Sequence, residues 1–175
     1  MLIHAKKLIG LPIIESITSK KIGFIKDVIV DPDNGKVLGV EIKRRYFGEK
    51  NKILMFQDVT DIYLDGVLTL SSDNLINFDE VIRVKEIFSK KICFLKSLVT
   101  TQNNKKLGYL DDFIFDTSAF MVTTMVVKKN WSNQIRIISA ERILNIIPGR
   151  IIIRDISSKV RVSSKNSILK PILPI

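Results

Sequence analysis

The sequence predicts an all-β protein made of two tandem small antiparallel β-barrels joined by a short linker. The stretch KKIGFIKDVIVD, residues 20–31, returns 85 positions later as KKLGYLDDFIFD, residues 105–116. In each copy the apolar runs are short, rich in β-branched and aromatic residues, and separated by turn residues. This pattern favours small barrels over βαβ units, and the fixed offset marks two copies of one structural unit.

The offset of 85 is expected to continue outside these stretches. Upstream, without a gap, Ile13 falls on Leu98 and Gly10 falls on Leu95. Downstream, FQDV matches AERI once one residue is removed from the loop between them, where changes of length are tolerated. Each unit then spans roughly 75–80 residues, which is near the lower size at which a domain folds alone.

A tight two-residue hairpin is predicted at Asn34 and Gly35, because both residues tolerate positive φ. The preceding DPDNG resembles part of a calcium loop, but the twelfth position is Ile42 instead of an acid. An Asx-type turn is therefore predicted there. The same hairpin positions in the second copy hold Ala119 and Phe120, so that turn needs different chemistry.

The predicted division of the chain follows the repeat. It comprises a first domain at 1–72, a linker at 73–91, a second domain at 92–160 and a basic, proline-containing tail at 161–175. The linker is either helical or extended, and its apolar residues at helical spacing are Ile76, Val81, Val84, Ile87 and Phe88. The terminal ILPI either packs against a barrel or is offered to a partner.

The first copy contains the stretch LIGLPIIESITSKKIGFIKDVIVDPDNGKVLGVEI, followed by MFQDV and then by GVLTL. Together these three parts resemble the PRC-barrel domain. The second copy carries a weaker version of the pattern. The resemblance implies that each copy is a β-barrel of the kind found in the photosynthetic reaction centre H subunit and in the C-terminal half of the ribosome maturation factor RimM. It also implies an adaptor-like role, and it brings no catalytic signature.

Enzyme chemistry is disfavoured by elimination. His4 is the only histidine and Cys93 the only cysteine, and no glycine-rich phosphate loop occurs. A histidine-based triad or a multi-histidine metal site would therefore depend on one residue. Cys93, between Ile92 and Phe94, is predicted to be a buried structural thiol. We expect no catalytic residue, no metal and no cofactor.

The location expected from the sequence is cytoplasmic, with peripheral attachment to a membrane as an option. The apolar runs are far shorter than the roughly 20 residues that span a bilayer. The first residues, MLIHAKKLIG, lack the apolar core and cleavage site of a secretory signal. A single cysteine excludes an intramolecular disulfide and fits a reducing compartment.

Charge is distributed unevenly between the two halves. Residues 1–85 contain 13 Lys or Arg and 12 Asp or Glu, a net charge of +1, whereas residues 86–175 contain 15 and 6, a net charge of +9. A basic half can neutralise phosphates of RNA or acidic lipid headgroups. The alternative is a lysine-rich composition without a function.

Each copy also places basic residues beside an aromatic residue after its second long strand. The predicted binding residues are Lys43, Arg44, Arg45, Tyr46, Lys128, Lys129 and Trp131. A cation beside a flat ring suits stacking on bases or seating at a membrane interface. The alternative is an aromatic ring folded back over the end of a hairpin.

Two functions remain open from the sequence. The first is a non-enzymatic adaptor that binds a protein or a membrane-associated assembly. The second is a ribosome- or RNA-associated maturation factor similar to RimM, which would bind through the basic second half. RimM carries a different first barrel with an HGLRGE-like stretch, which this chain lacks. The adaptor is therefore favoured, and the sequence does not give the oligomeric state.

Overall fold

The computed structural model describes residues 1–43, 52–129 and 134–155. Within them the chain forms fourteen strands and two short helices, and the strands make two seven-stranded sheets. The all-β fold class predicted from the sequence is confirmed. The first sheet contains β2 (Pro12–Glu15), β3 (Lys20–Val30), β4 (Val37–Lys43), β5 (Lys52–Met55), β6 (Val59–Ile62), β7 (Val67–Thr69) and β8 (Leu75–Ile76).

The second sheet and the two helices complete the described elements. The second sheet contains β1 (Leu2–His4), β9 (Leu98–Thr101), β10 (Lys106–Asp116), β11 (Met121–Lys128), β12 (Ile135–Ser139), β13 (Ile143–Ile147) and β14 (Arg150–Ile153). The helices are α1 (Ala5–Leu8) and α2 (Ile82–Ser89). Apart from β1 and β8, the two sheets share one topology. In each, a single parallel pair, β2 with β7 or β9 with β14, joins the first strand of the copy to its last.

The strand register corrects the predicted alignment of the two copies. Ile13 pairs with Gly23, and the corresponding pair in the second copy is Val99 with Gly108. Ile13 therefore matches Val99 and not Leu98, so the prediction of a gap-free offset is wrong by one residue. The reason is a loop at 102–104 that is one residue shorter than the loop at 16–19. Upstream of this loop the offset is 86.

The first long hairpin is also wider than predicted. The N–H of Asp31 donates to the carbonyl of Lys36 at 2.7 Å, which closes a four-residue loop instead of a two-residue turn. Gly35 supplies the left-handed residue with φ +73°, and Phe120 takes the same conformation in the second copy with φ +53°. The predicted Asx turn is confirmed, because the Asp31 carboxylate accepts the N–H of Asp33 at 2.9 Å.

These two hairpins meet each other. The N–H of Val37 donates to the carbonyl of Phe120 at 2.6 Å, and the N–H of Val122 donates to that of Gly35 at 3.1 Å. Lys36 pairs with Met121 between these bonds. The residues that meet here are equivalent in the two copies at the offset of 85: 35 corresponds to 120, 36 to 121 and 37 to 122. The two hydrogen bonds are therefore related by a local pseudo-two-fold axis.

The two copies share one hydrophobic core. One cluster of buried side chains includes residues from both sheets. The ring centroid of Phe56, from the first copy, lies 5.4 Å from that of Phe115 and 5.7 Å from that of Phe120 in the second. In addition, β1 pairs with β10 and so joins the second sheet. The copies are therefore packed as one body.

Helix α2 covers the outer face of the first sheet. Val84 and Ile87 are buried against Ile29 and Ile53. The helix confirms the helical prediction for residues 82–89, whereas Ile76 belongs to β8.

The guanidinium of Arg83 ties the start of α2 to the first hairpin. Its Nε donates to Oδ2 of Asp31 at 2.9 Å. Burial alone would raise the pKa of Asp31, but the hydrogen bonds from Arg83 outweigh it and hold that pKa below its ordinary value. This contact anchors the helix to the sheet that it covers.

Candidate binding groove between the two copies

A groove runs between the two copies on the surface near α1. Two adjoining concavities of about 470 and 710 Å³ form it, and four residues line both of them: Lys6, Ile9, Leu95 and Lys96. Tyr109, Asp111, Lys128 and Lys129 extend it on one side, and Lys26, Asp27, Lys91 and Cys93 on the other. We call this surface the basic groove. Ile9 and Leu95 occupy equivalent places in the two copies, so the groove straddles their junction.

Two equivalent turns build the floor of the basic groove. The N–H of Gly10 donates to the carbonyl of Ile25 at 2.8 Å, and the N–H of Lys96 donates to that of Leu110 at 2.8 Å. Gly10 has φ +88° and Lys96 has φ +65°. A left-handed conformation costs a non-glycine residue roughly 1–2 kcal/mol. Lys96 therefore places a cation in the groove at a position where the first copy has glycine.

The lysines of the basic groove divide into neutralised and free ones. The ammonium of Lys6 lies 2.6 Å from Oδ1 of Asp111, and that of Lys26 lies 2.8 Å from Oε1 of Glu41. Within the described residues, no carboxylate is paired with the remaining four, which are Lys91, Lys96, Lys128 and Lys129. All four are exposed. Their charge is available to an anionic ligand.

Two equivalent carboxylates on either side of the junction have different surroundings. Asp112 accepts a hydrogen bond from the N–H of Lys6 at 3.0 Å, and its other oxygen lies 2.8 Å from Nδ1 of His4. Asp27 accepts only the N–H of the adjacent Val28, at 2.8 Å, among the described residues. Burial raises the pKa of Asp27, and the charge of nearby Glu41 raises it further. The copy-one side of the groove thus holds a carboxylate whose charge is poorly compensated.

Replacing Asp27 by asparagine should stabilise the protein at neutral pH. Because the folded pKa of Asp27 lies above its ordinary value of 3.8, stability falls as pH rises from that value through the folded pKa. Asparagine does not ionise, so the variant avoids this loss. Its gain in the free energy of unfolding should be present at pH 7 and should vanish below the ordinary pKa of aspartate. Urea unfolding of wild type and Asp27→Asn across this pH range measures it. A gain that is the same at every pH would contradict the assignment to ionisation.

Cys93 corrects a prediction from the sequence. The residue is exposed and lines the groove, whereas its neighbour Phe94 is buried. The equivalent residues of α1 show the same contrast, since Lys7 is exposed and Leu8 is buried. Partial shielding of the sulfur by the groove wall raises the pKa of the thiol, and the charges of Asp27 and Glu41 raise it further. The thiol is therefore protonated at neutral pH and a weak nucleophile.

The structure brings together some of the predicted binding residues. Lys128 and Lys129 line the basic groove with Lys6 and Lys96. Lys43 is exposed on the first sheet, at the position equivalent to Lys128, and does not line the groove. Four predicted residues lie outside the described residues: Arg44, Arg45, Tyr46 and Trp131. The paired arrangement of the two basic loops therefore stays a prediction.

Several groove residues were not predicted from the sequence, notably Lys6, Lys26, Lys91 and Lys96. The one sequence signal that could have identified Lys96 is its alignment with Gly10, which appears only after the offset is corrected to 86. The others come together through the docking of the two copies, which the repeat alone does not describe.

A second concave surface lies away from the basic groove and is mostly apolar. It has a volume of about 560 Å³, and its lining includes Leu2, Leu8, Ile62, Tyr63 and Leu64. Leu64 is 96% exposed at the turn between β6 and β7. We call this surface the apolar cleft, and it offers a reference position for tests of the basic groove.

The fold and the groove define a β protein with a cation-lined concave surface. In the ranges 1–43, 52–129 and 134–155, no three His, Cys, Asp or Glu side chains come together as a metal site. No helix in the same ranges is long and apolar enough to cross a membrane.

Residues 1–76 match the family model of the PRC-barrel domain. A comparison with curated proteins finds no match. The family match supports a protein-interaction module of a generally non-catalytic kind.

Proposed function

We propose that this protein is a non-enzymatic docking adaptor that binds an acidic segment of a partner protein in the basic groove. The observation that carries this proposal is the set of four lysines that have no ion-pair partner among the described residues and that surround an apolar floor formed by Ile9 and Leu95. A segment with alternating acidic and apolar residues matches both properties. The proposed partners include proteins that belong to a membrane-associated assembly.

The proposal extends the PRC-barrel match to the second copy. Its support is the shared strand topology and the shared hairpin contact across the junction. A docking role also fits a cytoplasmic protein that lies at the periphery of a membrane, since the basic groove would face acidic partners there.

The conformation of Lys96 favours a binding role over a lysine-rich composition without a function. Lysine at this left-handed position is strained, and glycine at the equivalent Gly10 is not. A strained residue that also lines a concave surface is a candidate functional residue, and Lys91 of the groove shares this conformation with φ +52°. Replacing Lys96 by glycine should therefore weaken binding with little change in stability, because relief of the left-handed strain is offset by the greater entropy of glycine in the unfolded chain.

The alternative is an RNA- or ribosome-associated factor similar to RimM. The net charge of +9 in residues 86–175 favours it. However, the groove takes Lys6 and Lys26 from the first half, and its lining includes Asp27 and Asp111. Carboxylates among the lysines repel phosphates, whereas an acidic polypeptide segment still carries backbone N–H groups that can donate to these carboxylates. The geometry therefore favours a protein partner.

Affinity purification of the tagged full-length protein from its own cells tests the proposal. The groove variant combines Lys96→Gly, Lys128→Ala and Lys129→Ala. Partner recovery should fall about tenfold, because three exposed ionic contacts of roughly 0.2–1 kcal/mol each sum to about 0.6–3 kcal/mol, and a tenfold change corresponds to about 1.4 kcal/mol. The matched control combines Lys21→Ala, Lys85→Ala and Lys106→Ala, at exposed positions outside the groove.

The outcomes separate the two functions. A protein recovered by wild type and the control, lost from the groove variant and insensitive to nuclease supports the adaptor. Recovery that disappears after nuclease treatment supports the RNA-associated factor instead. Equal recovery by wild type and the groove variant overturns the assignment of the groove.

A further inference from the structure

The first copy covers the free edge and outer face of its sheet with the segment that follows it. After β7 ends, β8 pairs with the edge strand β5, and α2 then packs on the outer face. Ile53 of β5 is only 1% exposed as a result. This covering is contributed by residues 75–89.

The second copy has no such covering among the described residues. Ile53 pairs with Glu41, and Ile137 pairs with Val126, which is the residue equivalent to Glu41. Ile137 is therefore the counterpart of Ile53, yet it is 75% exposed. On the same strand Ile135 is 43% exposed. In the described part, β12 pairs only with β11, so its outer edge is open.

An open edge strand with exposed isoleucines is a template for pairing with another segment. The energetic reason is that backbone groups and apolar side chains both gain from being covered. Nearly complete burial of the equivalent Ile53 shows how the same surface is covered in the first copy. The question is which segment covers it in the second copy.

We propose that residues 156–175 of the same chain cover the β12 edge and the exposed face around Ile137. These residues follow β14 as β8 and α2 follow β7. They begin with ISSKVRV, in which Val160 and Val162 alternate with basic residues, as in a half-buried strand. They continue with SILKPILPI, an apolar stretch without acids.

The length of this segment fits its assigned path. From the end of β7 to the end of α2 the first copy uses 20 residues, at 70–89. The 20 residues at 156–175 are therefore enough to reach the edge and the face. A second copy of the chain on the same edge is the competing arrangement.

Hydrogen exchange of the full-length protein tests the proposal through the peptide at residues 134–140. Val160→Asp combined with Val162→Asp should speed its exchange by about tenfold, because the charged side chains cannot be buried on the sheet. Ser163→Asp combined with Ser164→Asp is the matched control and should leave the exchange unchanged. Peptides from β3 report whether the variant keeps its fold.

Two outcomes overturn the proposal. One is exchange at 134–140 that is equally fast in wild type and in the valine variant. The other is protection that increases with protein concentration, which identifies a second copy as the occupant.

A labelling measurement does not depend on the folding of the valine variant. In a Cys93→Ser background, the thiol of Ile137→Cys should react with iodoacetamide about tenfold more slowly than that of Ile17→Cys, at a control position that is 70% exposed. Equal reaction rates at the two positions would show that the face is open and would overturn the proposal.

Discussion

Truncation of Phe115 to alanine should lower the free energy of unfolding by about 3–5 kcal/mol. Phe115 is fully buried, and its ring contacts the ring of Phe56 from the other copy in an edge-on arrangement. The substitution removes an aromatic side chain from the junction and leaves a cavity that the packed sheets cannot fill. Such a loss is a large part of the total stability of a typical protein.

The loss at Phe115 should affect both copies together. Urea unfolding monitored by far-ultraviolet circular dichroism and by tryptophan fluorescence should give one transition, shifted equally for both signals. Phe24→Ala is the control, since Phe24 is 42% exposed on a long strand of the first copy, and its effect should be small. Two separate transitions, with one unchanged by Phe115→Ala, would show that the copies have independent cores.

Replacing Gly108 by alanine should cost about 2–4 kcal/mol, the combined effect of backbone strain and overpacking. Gly108 has φ +141°, a conformation that other residues rarely adopt. An added Cβ would lie 2.4 Å from the carbonyl oxygen of Lys128 and 3.0 Å from the backbone nitrogen of Lys129. Backbone atoms cannot move aside without disturbing β11, so the substitution should also displace two lysines of the basic groove.

The equivalent glycine in the first copy provides the control for Gly108. A Cβ at Gly23 would contact a side-chain methyl group of Ile42 at 2.3 Å, and Gly23 has no positive φ. The contact is with a side chain instead of backbone and adds no unfavourable φ, so Gly23→Ala should cost less than Gly108→Ala. Thermal unfolding of both variants measures the difference. A larger loss at Gly23 would contradict the role assigned to the backbone of Gly108.

The fold could be predicted from the sequence because the strand-forming runs occur twice. The prediction failed where a single residue changes the geometry. Pro32 follows Asp31 and favours a four-residue loop, so the Asn34 and Gly35 signal did not produce a two-residue turn. The one-residue shortening at 102–104 shifted the upstream alignment, because loops tolerate changes of length that leave no mark on the strands.

The candidate site could be predicted only in part. Lys128 and Lys129 were identified from a local pattern of basic and aromatic residues. The remaining groove lysines come from α1, β3 and the segment before β9, and they meet because the two copies pack against each other. This packing depends on contacts such as that between Phe56 and Phe115, which no local pattern shows. The exposure of Cys93 was also not predicted. Cys93 is equivalent to Lys7 of α1, and this equivalence appears only when the offset is 86 instead of 85.

The measurement that tests the basic groove most directly is an NMR titration of the isotope-labelled full-length protein. The ligand is a short synthetic peptide of alternating glutamate and leucine. Amide shifts should be confined to the groove, with the largest at Ile9, Leu95 and Lys96, and should be lost in the groove variant but kept in its lysine control. Shifts centred on Tyr63 and Leu64 of the apolar cleft, or no shifts at all, would contradict docking in the groove.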